Sequence, residues 1–212
     1  YQMIVNAGSN TAIYGAVNSS NISYLGDALS SGSSVTAGYC TNCGQAGVTS
    51  PTIINLAITA PAAGSNIWIA ADSGSGSAQG KYSFAISPTV LSGSYGAGAN
   101  LNVGNYVLTA ANLATVTGFT TRYALDKPII YNAGNLSITP KELTVINSSA
   151  ATKVYDATKT ATITSGELVG VAANDSSYIG LVQAGSFNTL NVANGIAVTA
   201  SNSLSGSVAS NY

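Results

Sequence analysis

Histidine is absent from this 212-residue chain. With it go the commonest general acid–base and the commonest metal ligand. Charge is scarce as well: Lys and Arg number 6, Asp and Glu 7, and charged residues make up 6% of the chain at a net charge of −1. An ordinary soluble domain carries about 25%. Without a basic stripe, nucleic acid is excluded as a partner, and there is no acidic or basic tail. Low charge raises the question of a membrane. The apolar runs are short, however, such as Ile67-Trp68-Ile69-Ala70, whereas a spanning helix needs about 18 apolar residues or more. No membrane insertion is expected. The opening Tyr1-Gln2-Met3-Ile4-Val5 lacks the basic start and apolar core of a secretory leader, so the expectation is a mature form or an excised part of something longer. The seven acids (Asp27, Asp72, Asp126, Glu142, Asp156, Glu167 and Asp175) are spread singly, and no calcium loop of the D-x-D-x-D kind is present. Neither a metal nor a cofactor is expected.

What replaces charge is Ser, Thr, Asn, Gly and Ala. A surface of small neutral groups stays wet without a large field and is insensitive to salt and pH, which suits an extracellular setting. It also favours association. Helical periodicity is lacking. Short apolar–polar alternations take its place, among them Asn105-Tyr106-Val107-Leu108-Thr109, Leu143-Thr144-Val145-Ile146 and Thr160-Ala161-Thr162-Ile163-Thr164. Alternation over four to eight residues predicts strands with one buried face, and many short strands between turn formers predict a sandwich. The expected fold class is all-β.

The chain repeats itself. The stretch from Val5 through Ile13-Tyr14-Gly15 resembles that from Val145 through Val154-Tyr155-Asp156. Leu91-Ser92-Gly93-Ser94 precedes Asn105-Tyr106 as Leu204-Ser205-Gly206-Ser207 precedes Asn211-Tyr212. We therefore expect two tandem β-sandwich-like, Ig-like units forming an elongated rod. The first covers 1–140 with an inserted loop region at about 36–80. The second covers 141–212 and lacks its final strand or strands. Pro140 at the junction removes a ladder donor and stiffens the crossing. An open sheet edge in the second unit is a ready site for strand addition, including by copies of the same chain.

These landmarks carry a resemblance. Ile138-Thr139-Pro140-Lys141-Glu142-Leu143-Thr144-Val145, Lys153-Val154-Tyr155-Asp156-Ala157-Thr158, Gly166-Glu167-Leu168-Val169-Gly170, Leu204-Ser205-Gly206 and Asn211-Tyr212 together resemble a YDG repeat. Such repeats, with the related MBG repeats, occur in large bacterial exoproteins similar to filamentous-haemagglutinin-type, two-partner-secretion adhesins. The match covers 138–212 well, and the first unit only at its start and end. Ala157 stands where the repeat usually carries Gly. The resemblance implies adhesion, biofilm matrix or surface display, in a secreted, extracellular or cell-surface location, with host or matrix glycans or proteins as candidate partners.

Cys40 and Cys43, in Tyr39-Cys40-Thr41-Asn42-Cys43-Gly44, are the only cysteines. Zinc would need two further ligands that the chain does not have, and a thioredoxin-like motif needs a βαβ context that is missing. The expected reading is a disulfide closing a small loop in an oxidising compartment. Among the aromatics, recurrence puts Tyr14, Tyr155, Tyr106 and Tyr212 in core or corner positions with their hydroxyls bonded. Trp68 alternates like a buried strand residue. Tyr24, Tyr39 and Tyr123 lie near loops and are the candidate ligand contacts. Asp156 reads as a turn residue bonding local amides.

No nucleophile–base pair is visible, and a hydrolase without His would need paired carboxylates, for example Asp72 and Asp126. The expectation is a non-catalytic structural or adhesive region, not an enzyme. A self-assembling fibre subunit joined by strand exchange is the first alternative. A glycan-binding module using the 36–80 region is the second.

Overall fold

A computed structural model describes residues 1–22, 34–62, 64–76 and 79–212. As expected, the chain is all-β, with no α-helix among the described residues. Its strands are β1 (Gln2–Asn6), β2 (Ser9–Ile13), β3 (Thr36–Cys40), β4 (Ile53–Asn55), β5 (Ala57–Thr59), β6 (Ile67–Ala71), β7 (Lys81–Pro88), β8 (Gly104–Thr115), β9 (Ile130–Asn132), β10 (Gly134–Thr139), β11 (Thr144–Ala150), β12 (Thr160–Ala161), β13 (Ile163–Val169), β14 (Gly180–Phe187) and β15 (Val198–Ser205).

Residues 1–139 form two sheets, ordered β4-β3-β1-β9 and β2-β10-β8-β7-β6-β5. Two of the crossings from one sheet to the other lie side by side. β1 runs into β2 through Gly8, and β9 runs into β10 through Ala133. β1 pairs with β9 in parallel, as β2 does with β10. The two crossings touch. The Asn135 amide donates to the Gly8 carbonyl at 3.0 Å, and a Cβ on Gly134 would overlap that same carbonyl. Only glycine permits this approach.

Period-two alternation places the core between these sheets. Met3 and Val5 of β1, Trp68 and Ala70 of β6, Tyr82, Phe84 and Ile86 of β7, Leu108 of β8, and Leu136 and Ile138 of β10 are all buried. Each large side chain so buried contributes about 1.5–3 kcal/mol. The 36–80 region is not the loop insertion expected from sequence. It carries β3 to β6, and β3 lies between β1 and β4 while β6 lies between β7 and β5. Alternation in its strands is brief, and the Gly, Ser and Thr between them give it the composition of a loop.

Residues 144–205 form a two-stranded β11-β13 sheet and a three-stranded β12-β14-β15 sheet. No strand of 1–139 shares a sheet with a strand of this part among the described residues.

Candidate functional site

The two parts meet at a buried polar junction. From the first comes the loop 94–103 between β7 and β8. From the second come residues 172–175 and the 3-10 turn Ala209–Asn211 with Tyr212. Asp175 is fully buried. Its Oδ2 accepts from the Tyr212 hydroxyl at 2.7 Å and its Oδ1 from Asn100 Nδ2 at 3.1 Å. The same Asn100 amide donates to the Ala173 carbonyl at 2.9 Å, and the Tyr212 hydroxyl accepts from the Ala172 amide at 2.9 Å. Asn211 bridges the other way: the Val103 amide donates to its Oδ1, and its Nδ2 donates to Asn102 Oδ1, both at 2.9 Å. A buried charge is tolerated only when its lone pairs are met, and here neutral donors from both parts meet them.

Apolar groups close the junction around this centre. Tyr14 and Tyr212 pack edge to face at 5.2 Å between centroids. A Cβ on Gly15 would stand 2.8 Å from Ala172 Cβ, and one on Gly98 would overlap Asp175 Oδ1. Burial, then the neighbouring Asp175 carboxylate, raises both phenols; Tyr212 is pushed up to about 12, and Tyr14 is raised by the same causes. Of the repeat landmarks, Tyr14 is fully buried, and the half-buried Tyr106 donates its hydroxyl to the Asn102 carbonyl at 2.7 Å, holding the loop end. The landmark tyrosines Tyr14, Tyr106 and Tyr212 therefore converge on one junction.

The fourth, Tyr155, does not share this burial: it is 63% exposed. Tyr14 has Tyr212 and Asp175 of the second part against it, and among the described residues Tyr155 has no such aromatic neighbour. The adjoining turn behaves as read. Asp156 Oδ1 accepts from the Thr158 amide and hydroxyl, each at 2.9 Å, and lies 2.7 Å from Lys153 Nζ. Lys153 in turn reaches the Thr158 and Thr160 carbonyls. The Lys153 bond and the Thr158 amide hold the Asp156 carboxyl below the usual carboxylate range. Ala157 takes a left-handed φ of 60°, a conformation that favours glycine.

Beside this turn lies an open cavity of about 320 Å³, with Val154, Tyr155, Phe187, Leu190, Ile196 and Val198 among its lining.

The candidate ligand contacts fare differently. Tyr39 is buried, not exposed. β3 is an inner strand, and its side chain points between the sheets to donate to the Tyr82 hydroxyl at 2.8 Å. Tyr123 is half-buried and packs edge to face on Tyr39 at 4.8 Å. Tyr24 lies outside the described residues. Cys40 and Cys43 form the expected disulfide, at the end of β3, where Lys127 Nζ donates to the Cys43 carbonyl at 2.6 Å. Asp72 and Asp126 have different partners: Arg122 for Asp72 and the N-terminal amine for Asp126. Asp72 is buried, with Oδ1 accepting from the Gly74 amide at 2.7 Å and 3.7 Å from Arg122 Nη1, while Asp126 is exposed. No group of three or more His, Cys, Asp or Glu that could hold a metal exists among the described residues.

Sequence reasoning missed Asp175, Asn100, Asn102 and Asn211. The signals were faint: Gly96 and Gly98, spaced for a close approach, and Asn211 beside a landmark tyrosine.

The family model of the YDG domain matches residues 139–212, the part that brings Asp156, Asp175 and Tyr212 to these sites. No curated protein and no solved structure matches the chain.

Proposed function

We propose that the chain is a non-catalytic structural and adhesive repeat region of a secreted bacterial surface or biofilm-matrix protein. The observation that carries this reading is the junction. A YDG-domain part is joined to the β unit before it through a buried carboxylate, three Asn side chains and two packed tyrosines. Such a joint, with Pro140 beside it, transmits position from one unit to the next and suits a rod. The Cys40–Cys43 disulfide supports an oxidising location, and the scarcity of charge supports an exposed role indifferent to salt. The non-catalytic reading is supported by the separate partners of Asp72 and Asp126.

The test is in-frame deletion of residues 1–212 from the native protein in its source cells, followed by measurement of attachment and matrix retention. Loss of either, with export of the shortened protein intact, is expected. Unchanged attachment and matrix would sink the reading.

A further inference from the structure

The two sulfurs of the disulfide are placed unequally. Cys40 is the last residue of β3, in register with Gln2 of β1 on one side and Ile53 of β4 on the other, and it is 1% exposed. Cys43 lies outside any strand and is half-buried. A Cβ on the next residue, Gly44, would meet nothing within 4 Å, so the chain leaves Cys43 into open space. One sulfur is fixed within a sheet, and the other sits on an accessible turn.

The turn is tied without the sulfurs. Asn42 Oδ1 accepts from the Thr52 amide at 2.7 Å, Asn42 Nδ2 donates to Thr52 Oγ1 at 3.5 Å, and the Thr41 amide donates to the Thr52 carbonyl at 3.1 Å. Lys127, from the loop before β9, donates to the Cys43 carbonyl at 2.6 Å. The disulfide itself closes a sequence separation of 3, and so short a loop restricts the unfolded chain little. By linkage, what the bond adds to the fold is what the fold adds to the bond, so this bond is weakly protected against thiol exchange. The reduced pair is also provided for. Asn42 Oδ1 lies 3.9 Å from Cys40 Sγ, within reach of a thiol S–H. The Lys127 ammonium stands at the carbonyl of Cys43 itself, and a neighbouring cation favours the thiolate.

We propose that Cys40–Cys43 is a thiol-exchange site that takes a small thiol as a mixed disulfide on Cys43. The incoming thiolate attacks Cys43 Sγ, the bond to Cys40 breaks, and its electron pair leaves on Cys40. Cys40 then takes a proton from water and turns it toward Asn42. In the reverse step Cys40 gives up that proton and attacks Cys43 Sγ, the thiol is expelled as its thiolate, and the disulfide is restored. Each cycle holds and releases one thiol and consumes no outside oxidant or reductant. The inference is independent of the adhesive reading and stands or falls separately from it.

The test uses the full chain, with glutathione as the thiol. Cys40→Ser leaves Cys43 free, and oxidised glutathione should convert it to a mixed disulfide at least about tenfold faster than it converts Cys40 in Cys43→Ser, read by intact mass and peptide mapping. In the unaltered chain, reduced glutathione followed by iodoacetamide should place glutathione on Cys43 and the alkyl group on Cys40. Lys127→Gln should slow the reaction of Cys43 severalfold at constant pH and leave that of Cys40 as it was. If either cysteine variant loses its far-ultraviolet spectrum, brief alkylation of the reduced native chain takes its place, and the first label is expected on Cys43. Equal rates at the two cysteines, a first label on Cys40, or glutathione mapped to Cys40 overturns the proposal. So does a disulfide that glutathione leaves closed in the folded chain and opens only in denaturant.

Discussion

The Tyr212 hydroxyl donates to Asp175 Oδ2 at 2.7 Å while accepting from the Ala172 amide at 2.9 Å. One phenol thus fixes a buried carboxylate and the loop that carries it. Replacing Tyr212 with Phe removes a donor from a fully buried charge, so the expected loss is about 2 kcal/mol, read as a lower denaturant midpoint. Asn100→Ala should cost a similar amount, and the double variant should cost less than the sum, because both act on one carboxylate. Strict additivity would mean that the two bonds are not one network.

Stability should fall on the alkaline side. Tyr212 titrates at about 12 in the fold against about 10 in an unfolded chain. A pKa raised by folding gives stability that is complete below the unfolded value and lost as pH rises through the folded one. The window is therefore about pH 10 to 12, and Tyr14, raised by burial and Asp175, adds to the same loss. Denaturation at stepped pH should show this decline, shallower in Tyr212→Phe. A flat profile across the window would contradict the assignment.

Gly98→Ala tests the closeness of the junction. The new Cβ would overlap Asp175 Oδ1, so Asp175 must leave its donors. We expect a loss of several kcal/mol and new exchange in the 172–175 amides. Gly93→Ala, where a Cβ would meet nothing within 4 Å but φ is 86°, should cost only the left-handed backbone term, about 1–2 kcal/mol.

Ala157→Gly should stabilise. The left-handed φ of 60° costs an alanine about 1–2 kcal/mol, partly offset by the extra freedom of glycine in the unfolded chain. A gain of up to about 1 kcal/mol in the denaturation midpoint is expected. A loss would mean that the turn does not hold this conformation.

Reduction of Cys40–Cys43 should be tolerated. The closed loop spans a sequence separation of 3, and so short a loop confers about 2 kcal/mol by chain entropy. Reduced protein should melt a few degrees lower and keep its far-ultraviolet spectrum, since Lys127 and Asn42 still hold the turn. Loss of the fold on reduction would show the bond to be essential.

Features that depend on near neighbours could be read from the chain. The all-β class follows from period-two alternation, which needs only adjacent residues. The disulfide follows from two cysteines three apart with no other ligand. The Asp156 turn, whose carboxylate bonds an amide two residues on, and the burial of Trp68 within its alternating strand are equally local. What tertiary structure alone decided are matters of remote partners. Tyr39 sits in a loop-like composition, yet it is buried because β1 and β4 flank its strand. Tyr14 and Tyr155 occupy one repeat position and differ in burial: Tyr14 packs on Tyr212 of the second part, whereas Tyr155 is exposed. Asp175 meets Asn100 across 75 residues. No local pattern encodes that meeting, because the energy that selects it arises only when two surfaces remote in sequence exclude water from one carboxylate.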